Sequence, residues 1–179
     1  MSLTQLRWFA LKVFYNKVFD MEARLKEKGI ESYIPMTTIM IERDGAKKKL
    51  TRPLISSLMF FRSTPEDAIA LQPIFEGKAM TYSRRTELRR EPVPIPEHEM
   101  NVFMLVTSSG ETGVEYIGED SPRYHKGDLV RVTEGPFKGS EGHIIRIKDD
   151  HRLVVTIKGL CAVATSYIPR CFLQKIETT

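Results

Sequence analysis

The chain is poor in the residues that most often carry chemistry, with two cysteines, four histidines and one tryptophan among 179 residues. It also lacks long apolar runs: no stretch approaches the roughly 20 apolar residues of a transmembrane helix, so no membrane partner is expected. The opening segment Met1-Ser2-Leu3-Thr4-Gln5-Leu6-Arg7-Trp8 has neither the basic-then-apolar order nor the small-residue cleavage site of a signal peptide. The cytoplasm is therefore the expected compartment. Cys161 and Cys171 stand ten positions apart, with no CxxC and no histidine at ligand spacing. Two reduced, partly buried thiols are expected, not a zinc site. His98, His125, His143 and His151 are scattered, and no Ser/His/Asp or Cys/His arrangement is recognisable. No GxxxxGK[ST] phosphate loop is present. No metal, nucleotide or other cofactor is expected, and an enzyme is the least supported reading.

What is present is ordinary globular material, 41% apolar and 28% charged, in a length that suits one large domain or two small ones. The net charge of +4 is unevenly placed. Residues 1–107 hold 17 Lys and Arg against 13 Asp and Glu, whereas residues 108–179 hold 10 of each. Any nucleic-acid contact is expected in the first part.

Residues 7–14 alternate in period two and predict a strand. Asn16 is a candidate N-cap for a helix over 17–28, with Val18, Met21, Glu22 and Leu25 on one side and Gly29 as the stop. Residues 31–36 look extended, and 37–42 with 49–54 predict a hairpin turning at Asp44-Gly45. The apolar run 58–61 suits a central strand. Thr64, Pro65 and Asp67 form a strong helix start, predicting a helix to about Phe75 before Gly77. A last strand over 78–83, a charged and proline-rich loop over 84–96, and a helix from Pro96 to about Val106 complete the order βαβββαβα. This is a mixed α+β domain.

Residues 108–122, with three glycines and few large apolar residues, read as a linker carrying at most a short strand at 114–117. From Tyr124 onward, five short strands are predicted at 129–132, 143–147, 153–157, 162–166 and 172–176. The turns between them fall at Gly135-Pro136, Lys138-Gly139, Asp149-Asp150 and Lys158-Gly159, and a small barrel is expected.

The most specific motif runs from Lys126 to Ile147 with the spacing KGDxVxVxxGPFKGxxG. Gly135 and Gly139 permit sharp backbone angles, Phe137 can cap the barrel, and a second strand starts after Gly142. The motif resembles KOW, found in NusG-type factors and several ribosomal proteins. Arg7-Trp8-Phe9-Ala10-Leu11-Lys12-Val13-Phe14, an amphipathic helix, Gly29 to Pro35, and Thr51-Arg52-Pro53-Leu54 before the apolar strand resemble a NusG N-terminal domain.

The resemblance covers nearly the whole chain and implies an α/β sandwich domain with an antiparallel sheet over 1–107, a linker over 108–122, and an SH3-like barrel over 123–179. Where the family usually has Phe-Pro-Gly-Tyr, this chain reads Ile55-Ser56-Ser57-Leu58. That departure, and the stretch from Gly159 to Pro169, look more like specialised paralogues such as RfaH and UpxY, which act on surface-polysaccharide operons.

The resemblance implies a transcription elongation and antitermination factor, acting as a monomer. Its first domain would grip the clamp coiled coil of RNA polymerase through Ile55, Leu58, Phe60, Phe14, Tyr82 and Phe103. For Phe60 and Phe103, an ordinary core role is the stronger reading. The basic hairpin residues Arg43, Lys47, Lys48, Lys49 and Arg52, with Lys17, are candidate contacts to non-template DNA or nascent RNA, since lysines meet phosphates as point charges. A solvated hairpin tip is the equal alternative. The barrel of general family members docks a ribosomal protein and contacts Rho. At the aromatic position central to the ribosomal contact this chain has Lys158, so a weak contact or a different surface is expected. The alternative function is a ribosome-associated RNA-binding protein.

Overall fold

The computed structural model describes residues 5–118, 127–147 and 150–177. By their contacts the residues divide into two units, Met1–Pro35 with Ile55–Glu97, and Met36–Leu54 with His98–Thr179. The expected linker end over 119–122, the barrel start at Tyr124 and His125, the motif's Lys126, and Asp149 of the predicted turn lie outside the described residues.

The first unit is built on a sheet of β1 (Arg7–Val13), β2 (Ser32–Tyr33), β5 (Leu58–Ser63), β6 (Ala79–Thr81) and β9 (Pro94–Ile95), ordered β2-β5-β1-β6 with β9 also on β1. Period two in β1 does not mark a solvent face. Trp8, Phe9, Ala10, Leu11 and Val13 are all buried, as a central strand requires. In β5, Leu58, Met59, Phe60 and Phe61 are likewise buried.

Helix α1 (Val18–Glu27) buries Val18, Met21 and Leu25 as its spacing predicts, and Gly29 at φ +69° ends it. Asn16 does not cap it: Asn16 sits at φ 55° in the left-handed region, and the cap position is Lys17, with no side-chain bond. Helix α2 (Pro65–Ala70) starts as predicted, the Asp67 N–H donating to Thr64 Oγ1 at 3.0 Å and the Thr64 hydroxyl returning to the Asp67 carboxylate at 2.9 Å. It ends earlier than expected and continues as a 3-10 turn over Gln72–Phe75. Pro73 has no N–H to continue the α-helical ladder. Arg24 ties α1 to this turn, donating to Ile74 O at 2.8 Å and to Glu76 Oε2 at 2.9 Å. The expected loop over 84–96 instead forms a hairpin of β7 (Ser83–Arg85) and β8 (Arg90–Pro92), followed by β9.

The second unit holds the hairpin of β3 (Met36–Arg43) and β4 (Ala46–Pro53), helix α3 (Glu97–Thr107, from His98 on) and a six-stranded sheet. Asp44 at φ 57° and Gly45 at φ 73° make the two-residue hairpin turn. The sheet runs β10 (Glu115–Tyr116), β14 (Cys161–Ala164), β13 (Asp150–Ile157), β12 (Glu141–Ile147), β11 (Leu129–Val132) and β15 (Leu173–Lys175). The barrel strands fall within three residues of their predicted bounds, the largest difference being the earlier start of β13. Strand β10 lies inside the expected linker, yet pairs with β14 through Glu115↔Ala164 and Tyr116↔Val163. Cys161 is buried and Cys171 exposed, and neither is in a disulfide.

Candidate functional site

Directly opposed residues in an antiparallel ladder share a face, and neighbours along a strand alternate. The registers Lys12↔Leu58, Ala10↔Phe60 and Lys12↔Met80 therefore place Leu58, Phe60, Ala10, Lys12 and Met80 on one face of the first sheet. Tyr82 continues the same row, its N–H donating to Ala10 O at 2.9 Å. The other face belongs to the helices, since the Thr81 hydroxyl donates to Ala68 O of α2 at 3.3 Å. Of the expected polymerase-contact residues, Leu58, Phe60 and Tyr82 thus share the face turned away from α2.

They differ in access. Ile55, in the turn before β5, is half-buried, and its carbonyl accepts the Leu58 N–H at 3.3 Å. Phe14 and Tyr82 are also half-buried. Phe14 lies against Lys12 Nζ at 5.8 Å and the Tyr15 ring at 6.5 Å, and Tyr15 is 82% exposed. Leu58 is buried, and Phe60 and Phe103 have no accessible surface, so neither phenyl ring is open to a partner in this structure.

The cationic candidates Arg43, Lys47, Lys48, Lys49 and Arg52 are all exposed on the β3–β4 hairpin. The pairs Thr37↔Arg52, Ile39↔Leu50 and Ile41↔Lys48 put Lys48 and Arg52 on one face, and Met40↔Lys49 and Glu42↔Lys47 put Lys47 and Lys49 on the other. Lys17, in the first unit, is exposed and paired with Asp20 at 3.4 Å.

In the barrel, Gly135 at φ 83° and Gly139 at φ 89° turn the chain, and the Gly139 N–H closes the loop on Val132 O at 2.8 Å. Phe137 is buried beneath the turn. Gly142 is required for a different reason: a Cβ there would collide with the Val154 carbonyl oxygen of β13. Lys158 is exposed at the β13–β14 turn, and its main-chain N–H donates to Glu99 Oε2 at 3.2 Å.

Sequence reasoning missed a cleft of about 350 Å³ in the first unit, lined by Ala68, Ile69, Gln72, Met80, Thr81, Ser83, Arg90 and Pro92. No local signal marks it, because its walls come from α2, the 3-10 turn, β6 and an unpredicted hairpin.

A helix-backed antiparallel sheet and a small barrel with a glycine-pinned turn are the two modules on which the comparisons with known proteins bear. Residues 6–104 match the family described as transcription termination factor nusG, and residues 126–158 match the KOW motif. The first match spans over half of the chain, which therefore belongs to the NusG family of transcription termination and antitermination factors. This family is non-enzymatic and acts with RNA polymerase in transcription. The chain is 21% identical over 171 residues to the transcription termination/antitermination protein NusG of Streptococcus pyogenes serotype M3, covering 88% of this chain and 90% of that one. The serotype M1 protein matches equally. A Thermotoga maritima NusG structure, solved in a study of domain interaction, shares the fold at a TM-score of 0.52 and 17% identity, covering 97% of this chain and 98% of that one. Among the described residues, no helix is long and apolar enough to cross a membrane.

Proposed function

We propose that the chain holds the clamp coiled coil of RNA polymerase and favours the elongating state, suppressing termination at a restricted set of operons such as surface-polysaccharide clusters. The observation that carries this reading is Ile55, half-buried in the turn before β5, its carbonyl accepting the Leu58 N–H at 3.3 Å. It supplies apolar surface at the position where the family grips polymerase. Such a factor shifts the polymerase equilibrium only by binding the elongating state better than the paused one. The exposed cations of the β3–β4 hairpin suit a phosphate contact to non-template DNA or nascent RNA during that engagement.

The departure Ile55-Ser56-Ser57-Leu58 supports a specialised paralogue over the general factor. The barrel serves as the recruiting module, raising the local concentration of a second partner. Exposed Lys158 lacks the aromatic anchor of the ribosomal contact, so weak docking of that ribosomal protein is expected. The equal numbers of acids and bases in residues 108–179 give no electrostatic support to a ribosomal RNA-binding role.

The test is pull-down of RNA polymerase with the full chain and its Ile55→Glu variant, alongside run-off transcription across a terminator. Ile55→Glu should abolish binding and read-through together, because it buries an unpaired carboxylate in an apolar interface. A folded variant that binds polymerase normally would show that the wrong face has been assigned.

A further inference from the structure

Among the described residues, strand β6 pairs with β1 alone and is an edge of the first sheet. Lys78, Met80 and Tyr82 turn their main-chain groups toward β1: Phe14 N–H donates to Lys78 O at 2.8 Å, Tyr82 N–H donates to Ala10 O at 2.9 Å, and Met80 lies opposite Lys12. By alternation, the main-chain groups of Ala79 and Thr81 point outward. Open strand edges are templates for further pairing. Here one side chain occupies that edge. The Gln72 carboxamide donates from Nε2 to Ala79 O at 2.8 Å and accepts the Thr81 N–H on Oε1 at 3.2 Å. Its orientation is dictated by its partners, since a carbonyl can only accept and an N–H can only donate. One amide thus imitates the partner residue of a β-ladder.

Beside this plug lies the 350 Å³ cleft, with Ile69 at 48% and Met80 at 39% exposure on its apolar wall and Arg90 on the β7–β8 side. The hairpin carries Arg84, Arg85, Arg89 and Arg90. Glu91 pairs with Arg84 at 3.9 Å and Arg89 at 3.3 Å. Among the described residues, no carboxylate pairs with Arg85 or Arg90. Outward main-chain groups, an apolar slot and uncompensated guanidinium charge occur together along one strand.

We infer that the outer edge of β6 is a docking site for an extended segment of a partner protein, with alternating apolar and acidic side chains, and that Gln72 holds the site closed until that segment displaces it. The incoming main chain takes over both hydrogen bonds of Gln72. Because side chains alternate along a strand, the apolar set meets Met80 on one face of the sheet while the acidic set meets Arg90, beside Ile69, on the face of α2. This site is separate from the Ile55 turn and stands without the polymerase reading.

The experiment uses the full chain and a fluorescein-labelled octapeptide of alternating Glu and Val, read by fluorescence anisotropy. Gln72→Ala should bind about tenfold more tightly than the parent, because each neutral hydrogen bond of the plug is worth a few-fold. Arg90→Glu should weaken binding about tenfold in either background. N-methylation of the peptide at alternate nitrogens should abolish binding in one register and leave it in the other, as strand pairing requires. The N-methyl and Arg90→Glu arms also run on the parent protein, so the test stands even if Gln72→Ala fails to fold. Binding indifferent to both N-methyl registers, or to Arg90→Glu, would overturn the proposal. Self-association of Gln72→Ala in sedimentation that excludes the peptide would also overturn it by naming a second copy as occupant. Displacement of the peptide by oligo-dT at equal concentration would overturn it in favour of nucleic acid.

Discussion

The hairpins β3–β4 and β12–β13 have strands of nearly equal length and opposite circumstances. Seven of the eight residues of β4 are exposed, whereas β13 has four buried residues and none exposed. In the first hairpin the register rests on the Asp44-Gly45 turn, on main-chain pairing and, at the base of β3, on buried Thr37 and Thr38, the Thr37 hydroxyl donating to Val114 O at 3.1 Å. In the second it rests on side chains that must stay inside and on a glycine that must stay bare. A hairpin held by its turn is free to spend its side chains on solvent and partners. A hairpin held by its core is not.

The comparison breaks most visibly at the glycines. Gly142→Ala should destabilise the barrel by about 3 kcal/mol, because the new Cβ would collide with the Val154 carbonyl, main chain that cannot swing aside as a side chain can. Urea unfolding followed by circular dichroism will read this, and a loss comparable to that of Gly139→Ala would contradict it. At Gly139 a Cβ meets nothing, and only the φ of 89° opposes it, for about 1 kcal/mol. Gly45→Val should also cost about 1 kcal/mol through its φ of 73°, but locally. Hydrogen exchange of the β3–β4 amides should accelerate while the global unfolding midpoint holds. A matching fall in midpoint would mean that the exposed hairpin is coupled to a core after all.

Replacing Lys47, Lys48 and Lys49 together with Ala should change stability by under about 0.5 kcal/mol, as surface substitutions do. The log–log salt slope of nucleic-acid binding should flatten by about 3, near one unit for each phosphate no longer neutralised. An unaltered slope returns the hairpin to the role of a solvated tip. The smallest effect belongs to Glu76, whose hydrogen bonds from Arg24 and then Lys78 depress its carboxyl from 4.5 to about 2. The folded value is the lower one, so the pair's contribution is fully present above the unfolded value. It fades as pH falls below about 4.5 and is gone below about 2. A stability difference between parent and Glu76→Gln that persists at the acid end of this range would contradict the assignment.

The barrel strands were legible because each alternates or runs apolar between glycine and charged turns, and because Val, Ile and Leu dominate them. The central strand β5 was legible from four consecutive apolar residues. The β7–β8 hairpin was not, since Arg84, Arg85, Arg89 and Arg90 carry no periodicity and Pro92 and Pro94 argue against strands. Pro92 is admissible because this hairpin is a two-stranded structure, and Pro94 because β9 lies at the side of the first sheet on β1. Asn16 looked like a cap because its side chain suits one, but it equally suits the left-handed conformation it adopts. The Ile55 turn was readable from its departure from a family pattern. The role of Gln72 was not, because it exists only once Ala79 and Thr81 stand opposite it.

Strand β1 has a consequence for manufacture. It precedes its ladder partners in the chain, and they span residues 58–63, 79–81 and 94–95. At a synthesis rate of ~5–20 residues per second, the segment around Trp8, Phe9 and Leu11 waits roughly 5–20 s before its last partner has been made. The barrel strands β11 to β14 pair each with the next along the chain and need no such delay. The central strand of the first sheet therefore stays unpaired far longer during synthesis than β11 to β14, which can pair almost as fast as they leave the ribosome.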